Sequence, residues 1–329
     1  MISCMNIEQQ IIPYLNTNTT DVLGIADFSN ATIEQLHGGD YNYNYHVRVA
    51  DHDLVVRLCI EPQSGSDAQI EHEYAALGFL APHNVTPKPR FLDNSRQHFP
   101  YGLLIEDFIE GGHVQFSIPS VRRVAGAMAT LHMIDIGGAP LERRDNPLQG
   151  QLESVAEYVD SYKQRQHPDP ELLHRSDAII QRVKKDMPQI AGLYTPRSII
   201  HTDPNPANII DTGERAYFID WEQGRIDDPS YDVAAFFSDA LNLWASPRVL
   251  TADEKKTFVQ TYVAKTGDTA IEERIPPRLM LYTVNAVIWG AMRMADVDEG
   301  KIDPHLGAQN YQRYQKLASP DELEKMLAL

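Results

Sequence analysis

Residues 199–210 read IIHTDPNPANII, a polar loop held between two short apolar segments. The two prolines exclude regular structure from the loop, because proline has no N–H donor and fixes its own backbone angle. The isoleucine pairs on either side predict two buried strands. The segment is therefore a rigid platform that holds the side chains of His201, Asp203 and Asn208 in place.

A turn at residues 211–214 and a further strand at residues 216–220 follow this loop. If the two strands pair as a hairpin, Asn208 at the start of one lies opposite Asp220 at the end of the other. An amide and a carboxylate are then brought together at one edge. Both are hard oxygen donors, which suits Mg²⁺ that carries nucleotide phosphates.

The spacing of His201, Asp203 and Asn208, followed by Asp220, resembles the catalytic and metal-binding segments of the aminoglycoside phosphotransferase and choline kinase superfamily. The continuation DPSYD at residues 228–232 is also similar to that superfamily. The resemblance implies an α+β, protein-kinase-like bilobal fold. In this fold a small antiparallel β-sheet forms the N-terminal lobe and a larger, mainly helical lobe follows it.

The same resemblance implies a role for each matching residue. Asp203 would orient the acceptor hydroxyl and take its proton, while His201 would brace the loop. Asn208 and Asp220 would hold Mg²⁺, and Asp232 would hydrogen-bond the backbone of the catalytic loop. Structural alternatives exist for single residues, since Asp203 could form a turn before a proline and Asn208 an Asx-turn. Together in one pattern, the residues favour the catalytic interpretation.

The coarse pattern along the chain agrees with two lobes. Residues 32–60 predict strands by their alternation of apolar and polar side chains, and residues 67–80 fit a helix. Beyond the glycine pair at residues 111–112, a predicted hinge, the pattern is mainly helical. We therefore expect an N-terminal nucleotide-binding lobe at residues 1–108 and a C-terminal catalytic and substrate-binding lobe at residues 109–329.

The N-terminal lobe holds a candidate phosphate-binding hairpin. The sequence GGDYNYNYHV, which contains Gly38, Gly39 and Asn42, looks like the family's hairpin over the nucleotide phosphates. Glycines there let backbone amides approach anionic oxygens closely. A Gly-Gly pair by itself is equally typical of an ordinary hairpin turn.

Arg57 occupies the position where related kinases carry a phosphate-binding basic residue, commonly lysine. On its strand Arg57 shares a face with Val55 and Cys59, so it should point inward, where an unpaired charge is costly. Glu73 lies on the inner stripe of the following helix and is the expected partner. A buried structural ion pair is the alternative to phosphate binding. Glu106 begins the segment that, by its order along the chain, would offer backbone groups to adenine.

The acceptor is expected to be an amino alcohol such as choline or ethanolamine. The sequence IDWE at residues 219–222, which includes Glu222, is closer to choline kinases than to most antibiotic kinases. Trp289 lies in a segment similar to their final helices, where an indole can bind a quaternary ammonium by cation–π attraction. Trp244 is a possible neighbour. The family's second tryptophan, one turn before Trp289, is Asn285 here, and a tryptophan in an apolar helix is more often a core residue.

Composition excludes several classes of partner. A formal charge of −17 over 329 residues disfavours nucleic acid and anionic membranes, which reward clustered lysine and arginine. It is compatible with a cationic substrate, although a general effect on solubility explains it equally well. Only Cys4 and Cys59 are present, so no disulfide framework is expected. The most apolar window, residues 279–295, is interrupted by polar residues and predicts a buried helix. No signal peptide is apparent, and a cytoplasmic location is expected.

The sequence therefore predicts an ATP- and Mg²⁺-dependent kinase that phosphorylates a hydroxyl group of a small molecule. One alternative is an aminoglycoside or sugar phosphotransferase with the same catalytic residues. Another is a nucleotide-binding module without catalysis, which predicts damage at Asp203, Asn208 or Asp220; all three are intact. A protein kinase is disfavoured because only residues 222–227 precede the following Asp-Pro, which leaves no room for a long activation segment.

Overall fold

The computed structural model describes the backbone of residues 4–36, 41–62, 66–302 and 304–329, and the side chains of these residues except 4–6 and 304–309. The strands are β1 (Thr32–Leu36), β2 (Asn42–Val49), β3 (His52–Cys59), β4 (Pro89–Asp93), β5 (Gly102–Asp107), β6 (Gly112–His113), β7 (Ser198–Ile200), β8 (Ile209–Asp211), β9 (Ala216–Phe218) and β10 (Arg225–Asp227). The α-helices are α1 (Cys4–Asn18), α2 (Thr20–Leu23), α3 (Gln69–Leu80), α4 (Ile118–His132), α5 (Pro147–Lys163), α6 (Pro170–Ile190), α7 (Ser230–Phe237), α8 (Asp239–Ala245), α9 (Ala252–Thr266), α10 (Ile271–Asp298), α11 (Pro304–Leu317) and α12 (Pro320–Leu327). Short 3₁₀ helices lie at Ala81–His83, Ala191–Leu193 and Pro206–Asn208.

These elements confirm the predicted mixed α+β class, with a small antiparallel sheet and many helices. The chain forms two compact units. The first comprises Met1–Gly111, Gly138–Pro140 and Tyr217–Gln223, and the second comprises Gly112–Gly137, Leu141–Ala216 and Gly224–Leu329. The domain division at residues 108 and 109 stays a prediction.

The first unit contains a five-stranded antiparallel sheet in the order β1-β2-β3-β5-β4. Side chains alternate between its two faces, so register decides which residues share a face. Arg57 on β3 is opposite Asn44 on β2 and Leu104 on β5, and Val55 is opposite Glu106. Polar side chains are therefore gathered on one face of the sheet.

The other face of the sheet is apolar and packs against the N-terminal helix. Tyr45, Val56 and Leu103 from the strands form one buried cluster with Ile11 and Leu15 of α1. Burial of this kind stabilises the unit by roughly 25 cal/mol for each Å² of apolar surface removed from water. The core of the first unit thus lies on the face away from the predicted site residues.

The core of the second unit surrounds α10, whose buried residues include Leu281, Val284 and Val287. This confirms the prediction of a buried helix over residues 279–295. Helix α9 of this unit begins with a stabilising helix cap. Thr251 and Glu254 form a reciprocal capping box at the start of α9, which satisfies N–H groups that the first turn leaves unpaired. None of the helices within the described residues combines the length and apolar character that a membrane span needs.

A two-stranded sheet, β10-β7, and a three-stranded sheet, β6-β8-β9, frame the loop at residues 201–208. In the first, Ile200 of β7 is opposite Arg225 of β10. In the second, Ile210 of β8 is opposite His113 of β6. The loop leaves one sheet and enters the other, so its two ends are fixed by separate ladders. This arrangement is what presents the polar residues of the loop.

Candidate active site

The predicted site residues fall into two groups, one in each compact unit. His201, Asp203, Asn208, Asp232, Trp244 and Trp289 belong to the second unit, and Asn42, Arg57, Glu73, Glu106, Asp220 and Glu222 belong to the first. Gly38 and Gly39 lie outside the described residues.

Asp232 anchors the backbone of the loop that follows β7. It is fully buried at the start of α7, where its Oδ2 accepts a hydrogen bond from the His201 N–H at 2.7 Å. Its Oδ1 accepts one from the Thr202 N–H at 2.8 Å. Thr202 has a φ of 77°, a left-handed conformation that is unfavourable for a β-branched residue. The two bonds to Asp232 therefore hold a strained backbone in place.

The carboxylate of Asp232 has a further partner in His132, a residue of α4. Nε2 of His132 lies 3.2 Å from Oδ2 of Asp232, and its Nδ1 lies 2.8 Å from the hydroxyl of Tyr262. Burial alone would raise the pKa of Asp232, but the hydrogen bond and charge of His132, together with His201, lower it below its usual range. The group that supports the loop thus stays ionised.

The side chain of Asp203 is oriented by two amide groups. Its Oδ2 accepts hydrogen bonds from Nδ2 of Asn205 and from Nδ2 of Asn208, both at 3.0 Å. Its Oδ1 accepts a longer bond of 3.4 Å from the hydroxyl of Tyr282. Asp203 itself is only partly buried. The structure therefore holds one carboxylate oxygen firmly and leaves the residue within reach of solvent.

Asn205 and Tyr282 are two residues of this site that the sequence analysis missed. Asn205 is buried, and its Oδ1 accepts hydrogen bonds from the Ala207 and Asn208 N–H groups, which caps the short 3₁₀ helix. The doublet Asn205-Pro206 is a recognisable start signal for such a helix and could have identified it. Tyr282 comes from α10, far along the chain, and no local pattern indicates its contact with Asp203.

The amide of Asn208 has a defined orientation. Its Nδ2 donates to the backbone oxygen of Asp203 at 3.1 Å as well as to the carboxylate. Because the nitrogen is used in this way, the carbonyl oxygen faces elsewhere and remains an acceptor. Such an oxygen is a suitable ligand for a hard cation.

In the first unit, Arg57 lies at the centre of a buried ionic group. Its Nε is 3.3 Å from Oε2 of Glu73, so the predicted pairing is present in the structure. Its Nη2 hydrogen-bonds Oδ1 of Asp220 and lies 3.6 Å from Oε2 of Glu222. Oε1 of Glu73 also accepts the N–H of Trp221 at 3.2 Å. One guanidinium therefore links helix α3 to the segment Tyr217–Gln223.

Glu222 is held by two side-chain amides in addition to Arg57. It accepts hydrogen bonds from Nε2 of Gln69 at 2.8 Å and from Nδ2 of Asn42 at 3.4 Å. Gln69, at the start of α3, was not identified from the sequence. Asp220 next to this group has a φ of 70°, again a left-handed conformation at a residue that is not glycine. Such backbone strain persists only where the surroundings impose it.

Four carboxylates of the first unit compete for the single charge of Arg57: Glu73, Glu106, Asp220 and Glu222. Burial and the neighbouring carboxylates raise the pKa of Glu73 to about 7, against the opposing effect of Arg57. Burial and Glu73 raise the pKa of Glu106 to about 8. Burial and Asp220 raise that of Glu222 well above its usual value. The single charge of Arg57 is therefore too little to balance the four carboxylates.

The donors present fit a magnesium ion that arrives with a nucleotide. Hard oxygen atoms are in excess, and the pKa values show a deficit of cationic charge near Asp220. Within the described ranges, no group of three His, Cys, Asp or Glu side chains is arranged to hold a metal by itself. Mg²⁺ bound to phosphates needs only one or two protein carboxylates, because phosphate and water supply the remaining ligands.

Trp244 and Trp289 meet in the second unit, where Tyr314 joins them. The centroids of the two indole rings are 5.2 Å apart with an interplanar angle of 86°. Tyr314 stacks on Trp244 at 5.6 Å and meets Trp289 edge-on at 5.5 Å. The guanidinium of Arg313 lies 5.4 Å from the ring of Trp244. Tyr314 is fully buried, whereas Trp244 and Trp289 are partly buried and pack against the core of the second unit.

Comparisons with known proteins show which family and which solved structures this chain resembles. Residues 32–270 match the model of the phosphotransferase enzyme family. The search of the curated proteins finds no match. An ethanolamine kinase from Plasmodium vivax is similar in structure, with 15% identity, a TM-score of 0.68, and coverage of 99% of this chain and 92% of that chain.

Two further solved structures are similar over nearly their whole length. A choline kinase from Streptococcus pneumoniae has 20% identity and a TM-score of 0.61, covering 95% of this chain and 99% of that one. A spectinomycin phosphotransferase has 14% identity and a TM-score of 0.61, with 97% of each chain covered. These likenesses confirm the protein-kinase-like fold. Since the family model also spans most of the sequence, from β1 to the residue before α10, this chain belongs to the phosphotransferase enzyme family.

Proposed function

We propose that this phosphotransferase is a kinase that transfers the γ-phosphate of ATP to a hydroxyl group of a small molecule, with Mg²⁺ as its metal. The observation that carries the proposal is the carboxylate of Asp203, which two amides hold in one orientation beside Asn208. A carboxylate that is fixed and still reachable is suited to orient a hydroxyl and accept its proton.

In this proposal each residue of the loop and its support has a different role. Asp203 positions the acceptor hydroxyl and takes its proton as phosphate transfer proceeds. Asn205 and Asn208 keep the carboxylate oriented, and Asp232 holds the loop backbone on which it sits. Positioning of this kind accounts for much of the catalysis in phosphoryl transfer, where the protein performs little covalent chemistry.

In this proposal the nucleotide would be held by the residues to which the resemblance gives that role. The carbonyl oxygen of Asn208 and the carboxylate of Asp220 hold Mg²⁺, which neutralises phosphate charge when it is bound. Arg57 binds phosphate through its planar fork, and Glu73 orients it. By the resemblance, the segment that contains Gly38, Gly39 and Asn42 would cover the phosphates, and the segment that begins at Glu106 would offer backbone groups to adenine. The similar spectinomycin phosphotransferase was solved with ADP, which supports nucleotide use.

The acceptor we propose is an amino alcohol such as choline or ethanolamine. The partly exposed rings of Trp244 and Trp289, which meet at 5.2 Å, support this assignment, because aromatic faces attract quaternary ammonium groups. The overall charge of −17 favours a cationic molecule as well. Glu222 is a further candidate contact. The proposal includes a cytoplasmic location and neither nucleic acid nor membrane as a partner, as expected from the sequence.

The second candidate is an aminoglycoside or sugar phosphotransferase, favoured by the likeness to the spectinomycin enzyme. Both candidates use the same catalytic residues and differ only in the acceptor. A nucleotide-binding module without catalysis has less support, since Asp203, Asn208 and Asp220 are all present.

The test is to incubate purified protein with Mg-ATP and a mixture of amino alcohols, aminoglycosides and sugars, and to scan the products by mass spectrometry for one added phosphate. We expect a phosphorylated amino alcohol and a matching amount of ADP. The Asp203→Asn variant serves as the control for contaminating kinases. A phosphorylated aminoglycoside or sugar would establish the second candidate, and no phosphorylated product with any acceptor would refute the kinase proposal.

A further inference from the structure

Three guanidinium groups surround one carboxylate in the second unit. Asp227 at the end of β10 is fully buried, and its Oδ1 is 2.5 Å from Nη2 of Arg278. Its Oδ2 is 3.3 Å from Nε of Arg225 and 3.8 Å from Nη1 of Arg144. We refer to Arg144, Arg225 and Arg278 as the arginine cluster. The separation from Arg144 is too long for a hydrogen bond, so Asp227 is shared mainly by the other two.

The arginine cluster carries more positive charge than its surroundings neutralise. The adjacent carboxylate, Asp228, is already engaged by Nε of Arg274 at 3.1 Å and by the hydroxyl of Ser230 at 2.6 Å. Three guanidinium groups therefore face a single carboxylate, Asp227, and two positive charges are left over. Burial is the main cause that lowers the pKa of Arg144, and the charge of Arg225 adds to it.

Hydrogen-bond donors in the cluster are also unused. Among the described residues, Nη2 of Arg225 and Nε of Arg278 are buried without a hydrogen-bond partner. A buried donor without an acceptor costs roughly 1–3 kcal/mol, and more when the group is charged. Excess charge together with unpaired donors is suited to the binding of an anion.

A ligand can reach the cluster from solvent. The side chains of Arg144 and Arg225 are 22% and 17% exposed, whereas that of Arg278 is completely buried beneath them. Nη2 of Arg144 donates only to the hydroxyl of Ser154 at 3.2 Å, an exposed bond that an incoming anion can replace. The guanidinium groups of Arg144 and Arg225 are thus accessible, and that of Arg278 is buried next to them.

The cluster is linked to the loop that carries Asp203. Arg225 is opposite Ile200, the last residue of β7 before the loop begins. Its guanidinium lies 4.6 Å from the ring of Tyr231, and that ring meets Tyr282 at 5.7 Å. The hydroxyl of Tyr282 donates to Asp203. Two aromatic side chains therefore separate the positive charge from the carboxylate that we propose as the base.

We propose that Arg144 and Arg225, above Arg278, bind an oxyanion, a carboxylate or phosphate-like group, on the side of Asp203 that faces Tyr282. Guanidinium groups match the planar geometry of such anions and bind them with charge-assisted hydrogen bonds. The anion is either an acidic group of the acceptor or free inorganic phosphate. The first source rests on the proposed kinase function, whereas the second does not.

The first experiment measures anion binding without catalysis. Thermal unfolding is followed while sulfate or phosphate replaces chloride at constant ionic strength, for the wild-type protein, Arg144→Gln and Arg143→Gln. Arg143 is the matched control, because it is the neighbouring residue, is exposed, and pairs only with exposed Asp145 among the described residues. We expect oxyanions to raise the melting temperature of the wild type and Arg143→Gln, and Arg144→Gln to lose most of that rise.

The melting temperature in chloride distinguishes a role of Arg144 in anion binding from a role in the stability of the fold. Arg144→Gln should melt no lower than the wild type in chloride, because it removes charge from an over-positive cluster. Arg225→Lys is a second variant that keeps the charge but loses the planar fork, and it should also weaken the anion effect. If Arg144→Gln and Arg225→Lys both kept the full oxyanion-dependent rise, the proposed site would be refuted.

The second experiment identifies the source of the anion with acceptors that differ by one carboxylate, such as ethanolamine and serine. If the acceptor supplies the anion, Arg144→Gln should lower the ratio of kcat/KM for the acidic to the neutral acceptor by about tenfold. An unchanged ratio with loss of sulfate binding would identify free phosphate as the ligand. If no acceptor is phosphorylated but sulfate binding depends on Arg144, the kinase proposal fails while the site stands.

Discussion

Nε of Arg57 lies 3.3 Å from Oε2 of Glu73, and the two side chains are only 5% and 4% exposed. The same guanidinium reaches Asp220 with a second nitrogen. A lysine at this position would offer one compact ammonium group and could not span both carboxylates in the same way. The arginine therefore connects the inner stripe of α3 to the segment that contains Asp220.

Removal of the charge of Arg57 should strongly destabilise the protein. We expect Arg57→Met to cost about 3–5 kcal/mol in the free energy of unfolding, because Glu73 and Asp220 lose the buried guanidinium that pairs with both. Urea denaturation measures the effect. Arg48→Met is the control, since the side chain of Arg48 is 61% exposed in its pair with Asp53 and should contribute about 0–1 kcal/mol. Equal losses in the two variants would contradict the central role of Arg57.

Replacement of the proposed base should separate catalysis from nucleotide binding. We expect Asp203→Asn to reduce kcat by about 10²–10⁴-fold, because the amide cannot accept the proton of the hydroxyl. Affinity for ATP, measured by calorimetry, should stay within error of the wild type. Asp186→Asn on the exposed side of α6 provides the control. Turnover of Asp203→Asn at the wild-type rate would show that Asp203 has another role.

Asp220 should govern the metal dependence of nucleotide binding. We expect Asp220→Asn to weaken ATP binding in the presence of Mg²⁺ by at least about tenfold, since a carboxylate ligand is replaced by a neutral amide. Without Mg²⁺ the difference from the wild type should be small. Asp51→Asn removes a charge from a side chain that is 93% exposed and serves as the control. The same Mg²⁺-dependent affinity in Asp220→Asn and the wild type would rule out the metal assignment.

The buried glutamates should make stability fall as the pH rises. Because the pKa of Glu106 is raised from 4.5 to about 8, the folded protein keeps a proton that the unfolded chain releases over this range. The folded state then binds more protons, so stability decreases with rising pH. Glu106→Gln should flatten the difference in unfolding free energy between about pH 5 and about pH 8.

Glu110→Gln is the matched control for Glu106→Gln. Glu110 is exposed just beyond the end of β5, so its replacement should leave the pH profile unchanged. The pKa of Glu73 is raised to about 7, so Glu73 also makes the unfolding free energy fall as the pH rises. This contribution should remain in the Glu106→Gln variant. A profile for Glu106→Gln that matched the wild type would show that Glu106 is ionised in the folded protein.

The aromatic group should distinguish a cationic acceptor from a neutral one. Relative to wild type, Trp289→Leu should raise KM for choline by about three- to thirtyfold, as expected for loss of a cation–π contact. For 3,3-dimethylbutan-1-ol, the uncharged isostere of choline, the change in KM should be much smaller. Equal changes for the two acceptors would indicate that Trp289 contributes packing alone.

Local sequence patterns were sufficient for the catalytic loop and for the pair on β3 and α3. Two prolines and the flanking isoleucines restrict the loop at residues 201–208, and Asp232 of the DPSYD segment holds its backbone. Arg57 and Glu73 were predictable because strand and helix periodicity each place a charged residue on an inner face, where a charge requires a partner. The spacing of residues along the chain was thus informative where the local conformation of a loop, strand or helix sets the direction of a side chain.

The contacts that sequence analysis missed are those set by packing between distant elements. Tyr282 reaches Asp203 across 79 positions, and Tyr314 of α11 meets both Trp244 and Trp289. The arginine cluster likewise draws on residues from β10, α10 and the segment before α5. No periodicity within one element indicates which partner another element will supply. Helix α1 was also missed, and Pro13 within it weakens the helical pattern.

Helix α1 has a consequence for the order of events during synthesis. Its residues Ile11 and Leu15 are buried against Leu103 and Ile105 of β5. The ribosome makes α1 well before β5, so its apolar side has no native cover while the intervening strands are being translated. Nascent chains in this condition are targets for chaperones and for misassembly. Codon changes that slow translation between residues 18 and 102 would therefore lengthen the period in which this protein is exposed to aggregation.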